Sequence, residues 1–464
     1  MAHLDDDPEL LALVEPYRVK VVEKIRLLTR AQRLEALQRS FYSIVYLDSA
    51  DVYIDLVTDS GTSAMSDAQW AGMMVGDEAY MGSRNFSRFE QTVQEITGYP
   101  NVIPTHQGRG AENIVMELLV EPGDFVPSNT LFDTTRAHVQ NRQARPLDLV
   151  ADGLWEFETE LPFKGNYDLA KLEVALEKYH ERIPFIVITV VNNMACSSPV
   201  SMANIREVKR LADRYSCPVL FDACRFAENA YFIKTREQGY QDKSIEEIVR
   251  EMFSHGDGCW MSAKKDGLVN IGGFIALRDA ALARRCQERL VLYEGFPTYG
   301  GLARRDLEAM AIGLREGITE DYLRHRVNQV AYLGQLLEQE GATVSKPTGG
   351  SGVFVDVGSI YPHLPPERLP TVAFMCDFYL EGGVRVGAAP FGLSSLDVRT
   401  GELVQKAFNL ARFAIPRRVY GKSHMEYLAK VMRRVKQKAP QNQGFRLVHE
   451  PEVLGHFFSK FEPV

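Results

Sequence analysis

The sequence predicts an α/β protein: a large domain on a mostly parallel sheet with helices on both faces, followed by a smaller α+β domain. Three observations carry this. The run "PFIVITVVNN" is continuously apolar and β-branched, as in a strand buried on both faces. Stretches with a helical apolar period alternate with such runs through the middle of the chain, the order expected of βαβ units. From about residue 320 the pattern changes to one long helical stretch and then short, separated strands. A chain of 464 residues is long for one core, so two or three domains are expected. We expect an N-terminal arm at 1–55 that joins the small domain, a large domain at 56–315 and a small C-terminal domain at 316–464.

The elements follow in order. "NVIPTHQGRGAENIVMELL" reads as a short strand, a glycine-containing turn and a helix. After "PFIVITVVNN" comes "SMANIREVKRLADRYS", with an apolar face at helical spacing, and then the short strand "CPVLFDACR". "GDGCWMSAKKD" ends another strand. In the second domain "DYLRHRVNQVAYLGQLLEQEG" reads as a helix, and "SGVFVDVG", "GVRVG" and "ARFAIPR" as short strands.

Composition narrows the function. The chain is 45% apolar and 25% charged, as in ordinary globular proteins. A net charge of −8 argues against a nucleic-acid partner, which needs a basic face. The acidic start "MAHLDDDPEL" has no apolar signal core, and there is no long apolar span, so no membrane association is expected. The six cysteines form no C-x-x-C pair, which suits a reduced, cytoplasmic chain.

The chemistry sits at strand ends, where ligands bind in such sheets. Four groups fall there: Gln107-Gly108-Arg109, Asn193, Asp222 with Arg225, and Ser262 with Lys265. The turn in "THQGRGAEN" leads into a helix whose free N–H groups can hold a phosphate. Asp222 follows "PVLF" directly, and a carboxylate there needs a cationic or N–H partner. In "MSAKKDGLVNIGGF", Lys264 and Lys265 stand among small and apolar residues, where a charged lysine is costly. They are either a solvated loop tip or, for one of them, bonded to something. Pyridoxal phosphate needs a lysine to bond, a carboxylate for its ring nitrogen and a phosphate cradle. This set supplies all three: Lys265 for the bond, Asp222 for the nitrogen, and Ser262 with the 107–109 turn for the phosphate. Lys264 would help neutralise the phosphate. Ser262-Ala-Lys-Lys265 is also formally an S-x-x-K, but no S-D-N partner accompanies it.

The chain also resembles the β-eliminating lyases, the family of tyrosine phenol-lyase and tryptophan indole-lyase, which have the aspartate-aminotransferase-like fold (fold-type I). The resemblance runs from "DVYIDLVTDSGTSAMSDAQWAGMMVGDEAYMGS" to "RLVHEPEVLGHFFSKFEPV", through "PTHQGRGAEN", "ENAYFIKTREQGY", "MSAKKDGLVNIGGF", "YEGFPTYGGL" and "IPRRVY". It implies Lys265 as the pyridoxal lysine and the base for the α-proton. Asp222 would meet the ring nitrogen, Asn193 and Arg225 the ring's 3-oxygen, and Phe132 the ring face. Gln107, Gly108, Arg109 and Ser262 would bind phosphate. Arg412 would hold the substrate carboxylate, a task that suits a bidentate fork, with Thr58 and Ser60 lining the site. Tyr80 would be the general acid for the leaving group. Gly61, Glu78 and Asn270 match a potassium site between subunits, and the assembly implied is a homotetramer acting on a free amino acid.

The resemblance also bears on the leaving group. Asp133, His456 and Phe296 match indole-lyases, where phenol-lyases resemble one another in having threonine, phenylalanine and methionine. Ala389 replaces the arginine that recognises phenol. The expected reaction is therefore β-elimination of L-tryptophan, or a substituted tryptophan, to indole, pyruvate and ammonia. Tyrosine, or another β-substituted amino acid such as an S-substituted cysteine, is the alternative. Ala388 stands where both enzymes carry glutamate, and Val45 where the arm carries an aromatic residue. Both departures remove bulk near the expected ring pocket.

Overall fold

The protein is described by a computed structural model covering residues 11, 14–450 and 458–464; the side chains of 389–395, 403 and 405–408, in two strands, are outside the described set. It divides into two compact units. The larger comprises Ser60–Val327 and Leu393–Gln405, the smaller Met1–Asp59, Asn328–Gly392 and Lys406–Val464. The bounds expected from sequence were 56 and 315 for the large domain.

The larger unit is built on a seven-stranded sheet. Its strands are β2 (Asn101–Thr105), β3 (Phe125–Ser128), β4 (Arg145–Asp148), β5 (Ile186–Thr189), β6 (Val219–Asp222), β7 (Gly258–Ser262) and β8 (Gly273–Leu277), in the order β2-β8-β7-β6-β5-β3-β4. β3 to β7 pair in parallel where they are neighbours, whereas β8 runs antiparallel to both β2 and β7. No helix separates β7 from β8, and without a crossover the chain can only return antiparallel. β8 is a strand the sequence does not announce: it begins on Gly273, directly after Gly272.

Alternation shows why the strands read as continuous apolar runs. In β5, Ile186 and Ile188 enter one apolar cluster while Val187 enters the cluster on the other face. Helices cover both faces. Gly108–Leu119 packs against β7 and β8, and Met202–Asp213, begun by the Ser201 N-cap, follows β5.

The smaller unit has a four-stranded sheet in the order β1 (Ile54–Leu56), β10 (Val384–Leu396), β11 (Leu403–Ala414) and β9 (Gly352–Asp356). It also has a two-stranded ribbon, β12 (Phe445–His449) with β13 (Lys460–Pro463). The helix expected at 321–341 is present as Glu320–Gln339. β10 and β11 are far longer than the short strands expected. Pro390 and Gly392 read as breakers, but β10 runs through both, and its pairing with β1, at Val384–Val386, comes before them. The distal part of this hairpin groups with the larger unit, where Val398 is buried and its carbonyl accepts from Lys178 Nζ at 2.7 Å.

Candidate active site

The parallel register places the key groups on one sheet edge. Thr189, Asp222 and Trp260 are aligned across β5, β6 and β7, and Ser262 ends β7. Asp222 is 3% exposed and accepts from the Cys224 N–H at 3.4 Å. Lys265 is 7% exposed, so the solvated loop tip is ruled out; its Nζ lies 5.6 Å from the centroid of the Phe132 ring.

The loop that carries Lys265 is tied down by its neighbours. Asp266 is buried, and its carboxylate accepts from the Ala227 and Glu228 N–H groups at 2.8 and 3.2 Å, at the start of the helix Phe226–Arg236. A carboxylate at a helix N-terminus is favourable by charge as well as by hydrogen bonding. This anchor was not read from the sequence; the signal available was an acidic residue directly after the lysine pair.

The cradle is built by close backbone approach. Gln107 precedes the helix Gly108–Leu119 and bridges to Gly272. A Cβ on Gly108 would lie 2.7 Å from Ser262 Cβ and 3.0 Å from its nitrogen. A Cβ on Gly273 would lie 2.8 Å from the Gly108 nitrogen. These glycines let the helix start lie against the end of β7. Lys264 Nζ donates to Gln107 Oε1 at 3.3 Å. Burial, then the charges of Lys265 and Arg109, push the Lys264 ammonium below its ordinary range.

Cations crowded beside a helix N-terminus fit an anion such as the cofactor's phosphate. With the buried Asp222 and Lys265 alongside, the residues present fit pyridoxal phosphate. Arg225 is buried and donates to the Val191 carbonyl at 3.1 Å; Asn193 is buried and accepts from Ser197 Oγ at 3.4 Å. The loop that carries Asn193 holds Val191, Cys196 and Ser197 at φ of 51°, 52° and 55°. For a β-branched valine that is costly, and such strain collects at functional sites.

Tyr80 belongs to an aromatic cluster that the sequence reading found only in part. Its ring lies 5.4 Å from Phe296 and 5.4 Å from Tyr299, and the Arg304 guanidinium stands 5.3 Å from Tyr80 and 4.0 Å from Tyr299. The hydrogen bond with Tyr299 raises the Tyr80 phenol and lowers that of Tyr299. Asp133 is exposed and opens the helix Asp133–Asn141, directly after Phe132.

Gly61 and Asn270 are brought together: Asn270 Nδ2 donates to the Gly61 and Ser63 carbonyls, both at 3.0 Å. Glu78 is engaged elsewhere in the same chain, by Arg305 and the Arg304 N–H, each at 3.2 Å. Among the described residues no cluster of three or more His, Cys, Asp or Glu side chains is suited to a metal ion. Ser60 is half-buried at the start of the larger unit. In the smaller unit Arg412 Nη2 donates to the Val57 carbonyl at 2.6 Å, beside Thr58. Also there, the fully buried Arg417 pairs with Asp59 at 3.0 Å, a contact the sequence reading missed. Val45 is exposed in a short 3₁₀ turn. His456 lies outside the described residues, and the side chain of Ala389 in β10 outside the described side chains.

Comparison with known proteins bears on the family and the fold. Residues 55–431 match the family described as Beta-eliminating lyase. The chain is 48% identical to a tryptophanase of Salinibacter ruber, covering 97% of this chain and 96% of that one. It is 45% identical to a tyrosine phenol-lyase of Symbiobacterium sp., covering 97% and 98%. Among solved structures a serine palmitoyltransferase of Sphingomonas wittichii superposes with a TM-score of 0.57 at 14% identity, over 84% of this chain and 88% of that one, a likeness of fold.

Proposed function

Because the chain belongs to the β-eliminating lyase family, and is a pyridoxal-phosphate-dependent lyase of fold-type I, we propose that it cleaves L-tryptophan, or a ring-substituted tryptophan, to indole, pyruvate and ammonia. The observation that carries the choice of leaving group is Asp133, an exposed carboxylate one residue from Phe132. Protonating indole at C3 shifts positive charge toward its N–H, and a carboxylate that accepts from that N–H stabilises the charge as it develops.

When bound, pyridoxal phosphate supplies a sink for the electron pair left when the α-proton is removed. The chain's own groups do the rest. Arg109, Lys264, Ser262 and the N–H groups after Gln107 would hold the phosphate, Asp222 the ring nitrogen, Asn193 and Arg225 the ring's 3-oxygen, and Phe132 would face the ring. The amine of Lys265, largely screened from water, takes the α-proton. Arg412, with Thr58 and Ser60, orients the substrate carboxylate. The leaving atom is a carbon, so its ring must be protonated before the bond breaks. Tyr80, whose phenol is raised by Tyr299, keeps its proton at neutral pH and serves as the acid. His456 is a second group for the indole side, and Phe296 packs beside Tyr80. Val45 and Ala388 would leave room for a substituted indole, and Ala389 stands where an arginine would recognise a phenol.

Potassium and a homotetramer belong to the same reading. The Gly61–Asn270 pairing supports a cation site there. With Glu78 held by Arg305 in its own chain, the site's carboxylate would come from across a subunit contact. The exposed Trp70, Met74 and Val75 on the helix Asp67–Val75, with Met81 nearby, support such a contact.

The test is to offer the purified protein L-tryptophan, L-tyrosine and S-methyl-L-cysteine and to assay indole, phenol and pyruvate. Indole from tryptophan is expected, with little phenol from tyrosine. Efficient phenol release, or brisk cysteine cleavage with no turnover of any indole amino acid, refutes the reading.

A further inference from the structure

Glu112 is a buried carboxyl beside the cofactor pocket that the reaction above does not use. It lies on the helix Gly108–Leu119, whose first residues form the phosphate cradle, and is 3% exposed. Thr134 Oγ1, two residues after Phe132, donates to its Oε2 at 2.6 Å. Asp222, equally buried at the end of β6, is close enough for the two charges to repel. Two carboxyls enclosed together do not both ionise cheaply. Burial first, then the charge of Asp222, pushes Glu112 up to about 7. The hydroxyls of Thr134 and Thr135, on the helix Asp133–Asn141, and the ammonium of Lys265, in the loop after β7, oppose the rise. These are the groups that set its charge.

We propose that Glu112 is a positioning residue that keeps a proton in reserve for the pocket and gives that proton up when pyridoxal phosphate seats its ring nitrogen on Asp222. A positive ring beside Asp222 would cancel the repulsion, the second of the two causes that keep a proton on Glu112, and so would favour its release. One O–H bond breaks at Glu112 and one N–H bond forms at the ring, directly or by way of Asp222. The enclosed charge is unchanged, and no proton need be drawn from solvent into a buried site. The inference rests on pyridoxal phosphate occupying this pocket, and not on which amino acid is cleaved.

Two measurements on the cofactor-free protein test it. Infrared spectra at about pH 6, below the titration of a carboxyl raised in this way, are expected to show a protonated-carboxyl band. That band is lost in Glu112→Gln and kept, shifted, in Glu112→Asp. Titrating pyridoxal phosphate calorimetrically in buffers of different ionisation enthalpy counts the protons taken up. Glu112→Gln is expected to take up as much as one proton more than the wild type. An unchanged band, or equal proton counts, overturns the proposal. If Glu112→Gln does not fold, Thr134→Val serves: losing a donor to the carboxylate raises the pH at which the band disappears, and an unmoved band overturns the proposal. A wild-type protein that binds no pyridoxal phosphate overturns the premise, and the proposal with it.

Discussion

At the residue scale, the roles proposed for Asp133 and Tyr80 are tied to a leaving group that must be protonated on carbon. Removing one group aimed at developing charge costs roughly 10²–10³ in rate. Asp133→Ala is therefore expected to cut indole release from tryptophan by about that factor, and to spare pyruvate formation from S-methyl-L-cysteine, whose sulfur leaves without ring protonation. Tyr80→Phe is expected to show the same split. Steady-state assays of both substrates on each variant check this, and an equal loss on both would remove the leaving-group role. Lys265 and Asp222 were legible because a charge among apolar residues stands out in one dimension. Glu112 was not. It is an acidic residue in a helix with an ordinary period, and only its burial beside Asp222 and Thr134 distinguishes it.

At the scale of elements, the contact between the helix Gly108–Leu119 and the end of β7 decides whether a phosphate can be held. Gly108→Ala would drive a methyl to 2.7 Å from Ser262 Cβ and 3.0 Å from its backbone nitrogen. One of the two must move. Losing a hydrogen bond to a charged phosphate costs about 1.5–3 kcal/mol, roughly tenfold or more in affinity. Weaker pyridoxal phosphate binding is expected from fluorescence titration, with circular dichroism unchanged. A second element contact is electrostatic. Burial works to raise Glu251, on the helix Ile245–Ser254, but hydrogen bonds from Lys243 and Tyr240, both at 2.7 Å, and from Arg206 outweigh it and hold the carboxyl at about 2. A depressed carboxylate contributes stability above its unfolded value of roughly 4.5 and loses it as pH falls toward about 2. The site is partly exposed, so Glu251→Gln is expected to cost only about 1–2 kcal/mol near neutrality, shrinking to nothing in acid. Urea melts of both proteins across that range read the difference.

At the scale of the whole molecule, one chain brings Gly61 to Asn270 but keeps Glu78 with Arg305. If the cation site is completed between subunits, potassium should raise activity and tighten cofactor binding, with sodium a poor substitute. Glu78→Ala should abolish that preference. Parallel assays in potassium and sodium buffers decide it; equal rates in both would remove the site.

The sequence by itself determined the strand–helix alternation, the buried β5, β6 and β7, and the Asp222–Lys265 pair. These depend on short-range pattern: apolar runs, helical periods and polar residues at strand ends. Only the tertiary structure decided what meets there. β8 enters between β2 and β7, so the Gly-Gly after the lysines faces the Gln107 turn. Asp266 anchors the lysine loop to the helix Phe226–Arg236, and Tyr299 and Arg304 join Tyr80. Strand order and the packing of side chains far apart in sequence set these contacts, and no periodicity along the chain encodes either.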